Sequence, residues 1–278
     1  MSRVKIGLVG YGGWGKRHFE TLRANPRVSL SGVFDPKYKG PGFLSPFDEL
    51  VQRSEALDVV VPPRFLVHVA ERALRAGRHV FVEKPMAVNY KEGSRLRKYA
   101  ESRKVMVGFI ERFNPVFNAL RVILQAEKPA HVFCQRSGTP TLVATETGAM
   151  KDLAIHDLDL LCWMLGRPKA VTGSTYHDSK MAQLHLEFDS TEATIVADCL
   201  GPLKVRRWVV ETRDGTITAV FEDQRWRLYR GNKELRVPWM LPLSVELGQF
   251  VRSIATDSIP SPSVDDGLRA LRIVESIK

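Results

Sequence analysis

An apolar β-run, Val4-Lys5-Ile6-Gly7-Leu8-Val9, passes without a break into Gly10-Tyr11-Gly12-Gly13-Trp14-Gly15 and then into a helical pattern from Lys16 to Ala24, ended by Asn25-Pro26. Each glycine of this Gly-x-Gly-x-x-Gly has a physical task. Gly10 permits the tight turn out of the strand, Gly12 lets the backbone approach a pyrophosphate, and Gly15 lets the helix sit close to the sheet. The helix N-terminus then points its free N–H groups at phosphate. Glycines at this spacing also arise in loops and hairpins, so context decides. A second β-run, Val28 to Phe34, ends in Asp35, about twenty residues past the last glycine, where a carboxylate accepts hydrogen bonds from adenosine ribose hydroxyls. The pattern therefore predicts a dinucleotide cofactor. A carboxylate at Asp35 repels a 2′-phosphate and favours NAD, while Lys37 and Lys39 close behind it keep NADP possible.

The pattern continues in the same grammar. Leu57 to Val61 reads as a short, continuous apolar run suited to a parallel strand buried on both faces, stopped by Pro62-Pro63. A helix over Leu66 to Ala76 closes at Gly77, and His79 to Val82 resumes as a fourth strand with Glu83-Lys84-Pro85 at its carboxyl end. A helix over Tyr90 to Arg103 and a strand over Val105 to Ile110 follow. Strands alternating with helices of this length predict an open parallel α/β sheet, whose ligands bind outside the strand carboxyl ends. After about residue 128 the pattern changes: a helix around Asp152 to Leu165, then the runs Ala182 to Phe188, Ala193 to Cys199, Val205 to Thr212, Thr216 to Phe221 and Arg225 to Tyr229, joined by turns such as Asp214-Gly215. These predict a mainly antiparallel sheet. Helices over Leu243 to Ala255 and Val264 to Ile277 finish the chain.

Composition narrows the function classes. The chain has 278 residues, 44% hydrophobic and 26% charged, an ordinary globular balance that allows two domains. No apolar run approaches the roughly 18 residues of a membrane span, so a soluble cytoplasmic protein without membrane partners is expected. Cys134, Cys162 and Cys199 are far apart and lack any C-x-x-C spacing, which points to core positions rather than disulfides or zinc. The net charge of +10 favours anionic partners. Lysine and arginine are nevertheless spread along the chain, so a nucleic-acid role rests on net charge alone, and none is expected.

Two places carry chemistry. Lys84, between a buried strand and a proline, would hold its ammonium at the sheet edge beside the nicotinamide end of a cofactor, where it can hydrogen-bond a substrate hydroxyl; a plain surface lysine is the alternative. Asp152 and His156 stand four apart in an otherwise apolar helical segment and share a face with Asp159 and Trp163. A carboxylate beside an imidazole suits a general base, while a helix cap with a satisfied core histidine is the alternative. Metal binding by Asp152, His156 and Asp159 lacks further ligands nearby, and no metal site is expected.

Four segments together carry a family resemblance: Gly-Tyr-Gly-Gly-Trp-Gly-Lys-Arg-His (10 to 18), His-Val-Phe-Val-Glu-Lys-Pro (79 to 85), Gly-Phe-Ile-Glu-Arg-Phe-Asn-Pro (108 to 115) and Lys-Asp-Leu-Ala-Ile-His-Asp-Leu-Asp (151 to 159). In this order and spacing the chain resembles the glucose-fructose oxidoreductase and inositol dehydrogenase family from end to end. The resemblance implies an N-terminal Rossmann dinucleotide-binding domain over residues 1–115. A C-terminal α+β domain with an open, mainly antiparallel sheet would follow over residues 116–278, for substrate binding and oligomerisation. It also implies an NAD(P)-dependent dehydrogenase of sugars or cyclic polyols with Lys84, Asp152 and His156 as the catalytic set. By the same carry-over, Gly10, Tyr11, Gly12, Gly13, Trp14, Gly15, Asp35 and Glu83 would contact the cofactor, and Lys84, Arg112, Asn114 and His156 the substrate. The spelling of the last two motifs looks most similar to dehydrogenases acting on the 3-hydroxyl of UDP-N-acetylglucosamine or its uronate, and a homo-oligomer, dimer or tetramer, is expected.

Two departures stand out. Between Asp35 and Asp48, where the family usually carries a helix and a further strand, there is room only for a loop, which predicts a more open adenine side. The third strand also runs into Pro62-Pro63-Arg64 without the family's usual Ala-Thr-Pro. A non-catalytic dinucleotide or sugar sensor on the same fold stays open, although the intact Lys84, Asp152 and His156 argue against it.

Overall fold

A computed structural model describes residues 3–222 and 225–277. The chain forms two compact units, Met1–Ile110 with Leu241–Arg269, and Glu111–Met240 with Ala270–Lys278. The first break lies between Ile110 and Glu111, and the closing segment Leu241–Arg269 belongs to the first unit.

The first unit begins β1 (Val4–Val9), α1 (Gly13–Ala24), β2 (Val28–Phe34), α2 (Phe47–Arg53), β3 (Ala56–Val59), α3 (Pro63–Arg75), β4 (His79–Glu83), α4 (Tyr90–Gly93) and β5 (Val105–Gly108). All five strands are parallel in the order β2-β1-β3-β4-β5. The chain leaves β1 toward one neighbour and returns on its other side, so a switch point lies between β1 and β3, where such sheets bind ligands. The segment after Asp35 is a loop, as its length requires. Phe43 alone pairs with Val33 on the outer edge of β2, which covers that edge with a single bridge in place of a strand. β3 ends at Val59, short of the expected Val61, and Pro63 opens α3, because its fixed φ suits a first helical turn.

The expected helix from Tyr90 to Arg103 is not continuous. Asn89 caps α4 by accepting the Glu92 N–H, but the helix reaches only Gly93 and then tightens to a 3₁₀ segment, Ser94–Tyr99. Gly93 is a weak helix former, and the Ser94 hydroxyl donates back to the Lys91 carbonyl.

The second unit carries α5 (Pro115–Ala126), β6 (Pro129–Ser137), α6 (Leu142–Ala149), α7 (Ile155–Leu165) and β7 (Ala170–Tyr176), β8 (Met181–Glu187), β9 (Glu192–Asp198), β10 (Val205–Thr212), β11 (Gly215–Glu222), β12 (Arg225–Arg230) and β13 (Lys233–Leu235). The sheet runs β13-β12-β11-β10-β6-β9-β8-β7. It is antiparallel except for the β6–β9 pair. β6, β7 and β13 were not legible as strands. The alternating strands bury one face, with Trp208 of β10 fully enclosed edge-on to Phe117 of α5, and Phe221 of β11 against the same Phe117. All three cysteines are buried and unpaired with one another. The chain then closes with α8 (Pro242–Ala255), which sets Phe250 against Phe81 of β4, and α9 (Val264–Ser276). No helix among the described residues is long and apolar enough to cross a membrane.

Trp208→Ala is expected to cost about 3–5 kcal/mol of stability in denaturant titrations, because the cavity it leaves is walled by rigid strands; a loss below about 1 kcal/mol would show that Trp208 does not anchor this core.

Candidate functional site

α1 starts immediately after Gly12, whose position at the helix N-cap has no side-chain cap, and no acidic residue lies in the first turn. The first-turn N–H groups therefore face open space with a favourable dipole for an anion. The glycines divide by cause. At Gly10, with φ of 98°, an added Cβ would lie 2.1 Å from the Val60 carbonyl oxygen, and at Gly15 it would lie 2.2 Å from that of Gly10. At Gly12 and Gly13 it would meet nothing within 4 Å. The outer glycines are demanded by the fold, and the inner pair lines an open cradle whose donors fit a pyrophosphate.

Asp35 ends β2 and sits against this turn. Its Oδ2 accepts the Tyr11 N–H at 2.7 Å and its Oδ1 the Lys37 N–H at 2.8 Å. A carboxylate oxygen accepts more than one bond, so capacity remains for a ribose hydroxyl. The adenine side is not simply open, as the short loop had suggested. The rings of Tyr38 and Phe43 fold back onto Tyr11, at 5.4 and 5.1 Å, and Lys16 Nζ lies 5.7 Å from the Tyr11 ring and 5.5 Å from that of Tyr38. Apolar ring area and a cation thus occupy the edge that a helix normally covers.

Glu83, at the carboxyl end of β4, ties the cradle helix to the strand end. Its Oε1 accepts the Trp14 indole N–H at 2.9 Å and lies 3.1 Å from His18 Nε2, while its Oε2 accepts the Lys84 N–H at 3.1 Å. On its other side His18 meets Asp58 of β3, with Nδ1 2.8 Å from Oδ2, and both residues are 0% exposed. Burial alone would push the imidazole pKa down. Asp58 first, and then Glu83, outweigh that and raise it to about 10, so the ring is an imidazolium, hydrogen-bonded to Asp58 through Nδ1 and ion-paired with Glu83 through Nε2, whose N–H is not aligned for a hydrogen bond. The sequence signal was present: Asp58 interrupts the run Leu57 to Val61, and a charge in a doubly covered parallel strand needs a buried partner. Lys84 itself is half-buried, and its peptide bond to Pro85 is cis.

In the second unit the expected uninterrupted helix around Asp152 is broken. Met150–Ala154 forms a π turn ahead of α7, so Asp152 and His156 are not related by simple α-helical spacing. Both are buried, and Asp152 Oδ2 accepts the Thr141 hydroxyl at 2.6 Å. The rest of the expected polar strip is structural. Asp159 takes a bidentate pair from Arg112, Nε at 2.7 Å and Nη2 at 2.6 Å, and the guanidinium carbon of Arg112 lies 5.8 Å from the Trp163 ring. The fork of Arg112, expected at the substrate, is directed at Asp159. Asn114 is likewise turned inward: its Oδ1 accepts the Val116 N–H to cap α5, and its Nδ2 donates to Glu111. Asp159 is correspondingly unsuited to a metal, and no cluster of metal-binding side chains occurs among the described residues.

Asp157 was overlooked. It is 0% exposed and receives Arg136 Nε and Nη2 at 2.9 and 2.8 Å together with the Trp208 indole N–H at 2.9 Å, while Arg136 Nη1 reaches Glu111 at 2.9 Å. Opposite Arg136 in the β6–β10 ladder stands Arg206, half-buried. Its Nη1 donates to the carbonyls of Ser137 and Val205, and burial lowers its pKa to about 10, so it stays charged at neutral pH.

Residues 4–110 match the profile described as an oxidoreductase family with an NAD-binding Rossmann fold, and residues 125–218 match the GFO/IDH/MocA C-terminal domain. The chain belongs to the GFO/IDH/MocA oxidoreductase family. It is 25% identical to inositol 2-dehydrogenase of Acidothermus cellulolyticus, across 96% of this chain and 89% of that one. It is 28% identical to UDP-N-acetylglucosamine 3-dehydrogenase of Acidithiobacillus ferrooxidans over 60% of this chain and 56% of that one. The solved structure of the UDP-N-acetylglucosamine 3-dehydrogenase GnnA from Acidithiobacillus ferrooxidans shares the fold, with a TM-score of 0.87 at 24% identity over 99% of this chain and 97% of that one. NAD is accordingly the cofactor of this GFO/IDH/MocA chain, and the cradle at Gly10 to Gly15 has the donors and the space for it.

The cradle separates binding from folding. Gly12→Val fits the backbone but projects into the open space, so calorimetry is expected to find NAD binding abolished with the melting temperature kept within about 3 °C. Gly15→Ala collides with the Gly10 carbonyl and is expected to lower the melting temperature. Retained NAD affinity in Gly12→Val would mean that the dinucleotide does not lie on this turn. The imidazolium has its own signature. A histidine whose pKa is raised on folding adds stability that is fully present below about pH 6.5 and is lost as pH climbs toward 10. The stability difference between wild type and His18→Asn should therefore shrink across that interval, and a constant difference would show that His18 is neutral in the folded chain.

Proposed function

We propose that the chain oxidises a secondary hydroxyl of a sugar, with UDP-N-acetylglucosamine or a related UDP-sugar, attacked at C3, as the substrate. NAD, when bound, supplies the hydride acceptor. Lys84 binds and polarises the substrate oxygen, and His156 takes the hydroxyl proton on a ring nitrogen as the C–H electron pair departs. Asp152 balances the imidazolium that forms. The products are a keto sugar, NADH and a protonated His156, so atoms and charge balance.

The observation that carries this reading is the Glu83 junction. One carboxylate takes the indole N–H from the first turn of the cradle helix and the N–H of Lys84, which brings a half-buried lysine to the rim of the cofactor seat. A π turn at Asp152 adds support, since such turns are frequent at functional sites. The UDP-sugar assignment draws on the 28% identical relative of that name and on the net charge of +10. It draws also on Arg206. Arg112 and Arg136 each have their own carboxylate, whereas the Arg206 guanidinium has none within ion-pair distance among the described residues and donates to neutral carbonyls, only the backbone N–H of Arg206 reaching a carboxylate, that of Glu222. A partly desolvated guanidinium of this kind favours an anionic ligand group such as a diphosphate.

NADH formation at 340 nm across UDP-sugars, inositols and free aldoses tests the reading. UDP-N-acetylglucosamine is expected to be turned over, and His156→Ala to lose about 10²- to 10⁴-fold in kcat. Arg206→Gln is expected to raise KM for the UDP-sugar about ten-fold or more, the usual worth of a charged hydrogen bond. Near-normal turnover in His156→Ala would remove it as the base, and saturable NAD binding with no turnover of any of these alcohols would favour a sensor instead.

A further inference from the structure

Two charges of the first unit, His18 and Asp58, have no part in the cradle, and both are fully buried. Their placement is specific. His18 lies one turn beyond Trp14 on α1, and the two side chains converge on the same oxygen, Glu83 Oε1, at 3.1 and 2.9 Å. Gly108 of β5 closes the opposite side, where an added Cβ would lie 2.9 Å from the Glu83 carboxyl carbon. With Oε1 hydrogen-bonded by the indole and ion-paired with the imidazolium, and the carboxyl group backed by β5, Glu83 Oε2 is aimed at the Lys84 N–H.

We propose that His18 is a positioning residue for Lys84, acting through Glu83. The chain of contacts runs Asp58, His18, Glu83, Lys84 backbone, from the middle of the sheet to the strand end. Asp58 anchors the ring by its Nδ1, so that Nε2 is presented to Glu83 in one orientation. Without the ring, Glu83 keeps only the indole to hold Oε1 and turns about its terminal torsion, which is soft. Lys84 then loses a fixed acceptor for its amide, and its side chain starts from a mobile backbone. Because α1 also forms the cradle, the same contacts hold the lysine in register with the phosphate seat. This role rests on Lys84 being catalytic, as proposed above, although the positioning itself is a property of the protein alone.

Two variants and two readouts separate these ideas. In His18→Asn, amide exchange followed by ¹⁵N NMR is expected to show the Lys84 N–H exchanging about ten-fold faster or more, with the β1 amides unchanged. The kcat for the sugar substrate should fall about ten- to hundred-fold, the usual effect of misplacing a reacting group, while KM and the NAD dissociation constant stay within about three-fold. Trp14→Phe keeps the ring area and removes one donor, and should move Lys84 exchange and kcat in the same directions by about two- to five-fold. If His18→Asn does not fold, Trp14→Phe decides. Unchanged Lys84 exchange in a folded variant overturns the proposal, as does a kcat loss that is fully recovered by saturating NAD. Accelerated Lys84 exchange in a chain that turns over no alcohol would uphold the positioning and overturn the catalytic reading of Lys84.

Discussion

A carboxylate withdrawn from water at the end of a parallel strand is stable only if donors surround it, and Glu83 is surrounded by an indole, an imidazolium and a backbone amide. Those donors come from α1 and from the residue that follows β4. The cradle helix, the strand and Lys84 are therefore fixed by one group. Removing one partner of such a buried pair typically costs about 3–5 kcal/mol, because the other charge stays behind uncompensated. The arrangement is thus costly to disturb at the point where a family of NAD-binding oxidoreductases needs rigidity.

The second unit solves a similar problem with larger groups. α7 is apolar over most of its surface, yet Asp157 and Asp159 are buried on it. Each is matched by a guanidinium in bidentate geometry, Arg136 and Arg112, and Asp157 also takes the Trp208 indole N–H. These pairs lock α7 to β6, β10 and the 3₁₀ turn Ile110–Phe113 before α5. What remains on the segment is Asp152 and His156, on either side of the change from π to α geometry.

Much of the fold was legible because its signals are local. Gly-x-Gly-x-x-Gly between a strand and a helix, Asp35 after the second strand, and alternating runs such as Val205 to Thr212 each depend on a few neighbouring residues. What was missed depends on distant partners. Nothing in the segment around Arg112 shows that Asp159, 47 positions away, receives its fork. Asp58 hid within an apolar run, and Asp157 within an apolar helix, each paired across the fold. The π turn at Met150–Ala154 leaves no period in the sequence to read, and β6 was missed because its enclosed alternate positions, Val132, Cys134 and Arg136, include a charged residue in place of an apolar one. The short segment after Asp35 was correctly read as a loop, but ring packing between Tyr11, Tyr38 and Phe43 is set by side chains meeting in space.

The proposed reaction moves a hydride from a secondary carbon of a sugar to NAD. Transfer from UDP-N-acetylglucosamine carrying deuterium at C3 tests it most directly, with the reduced dinucleotide weighed by mass spectrometry. One deuterium in each NADH formed and a primary isotope effect on the chemical step are expected. NADH without deuterium would move the oxidation to another carbon, and deuterium-labelled sugar recovered intact from enzyme saturated with NAD would contradict the assignment of this substrate.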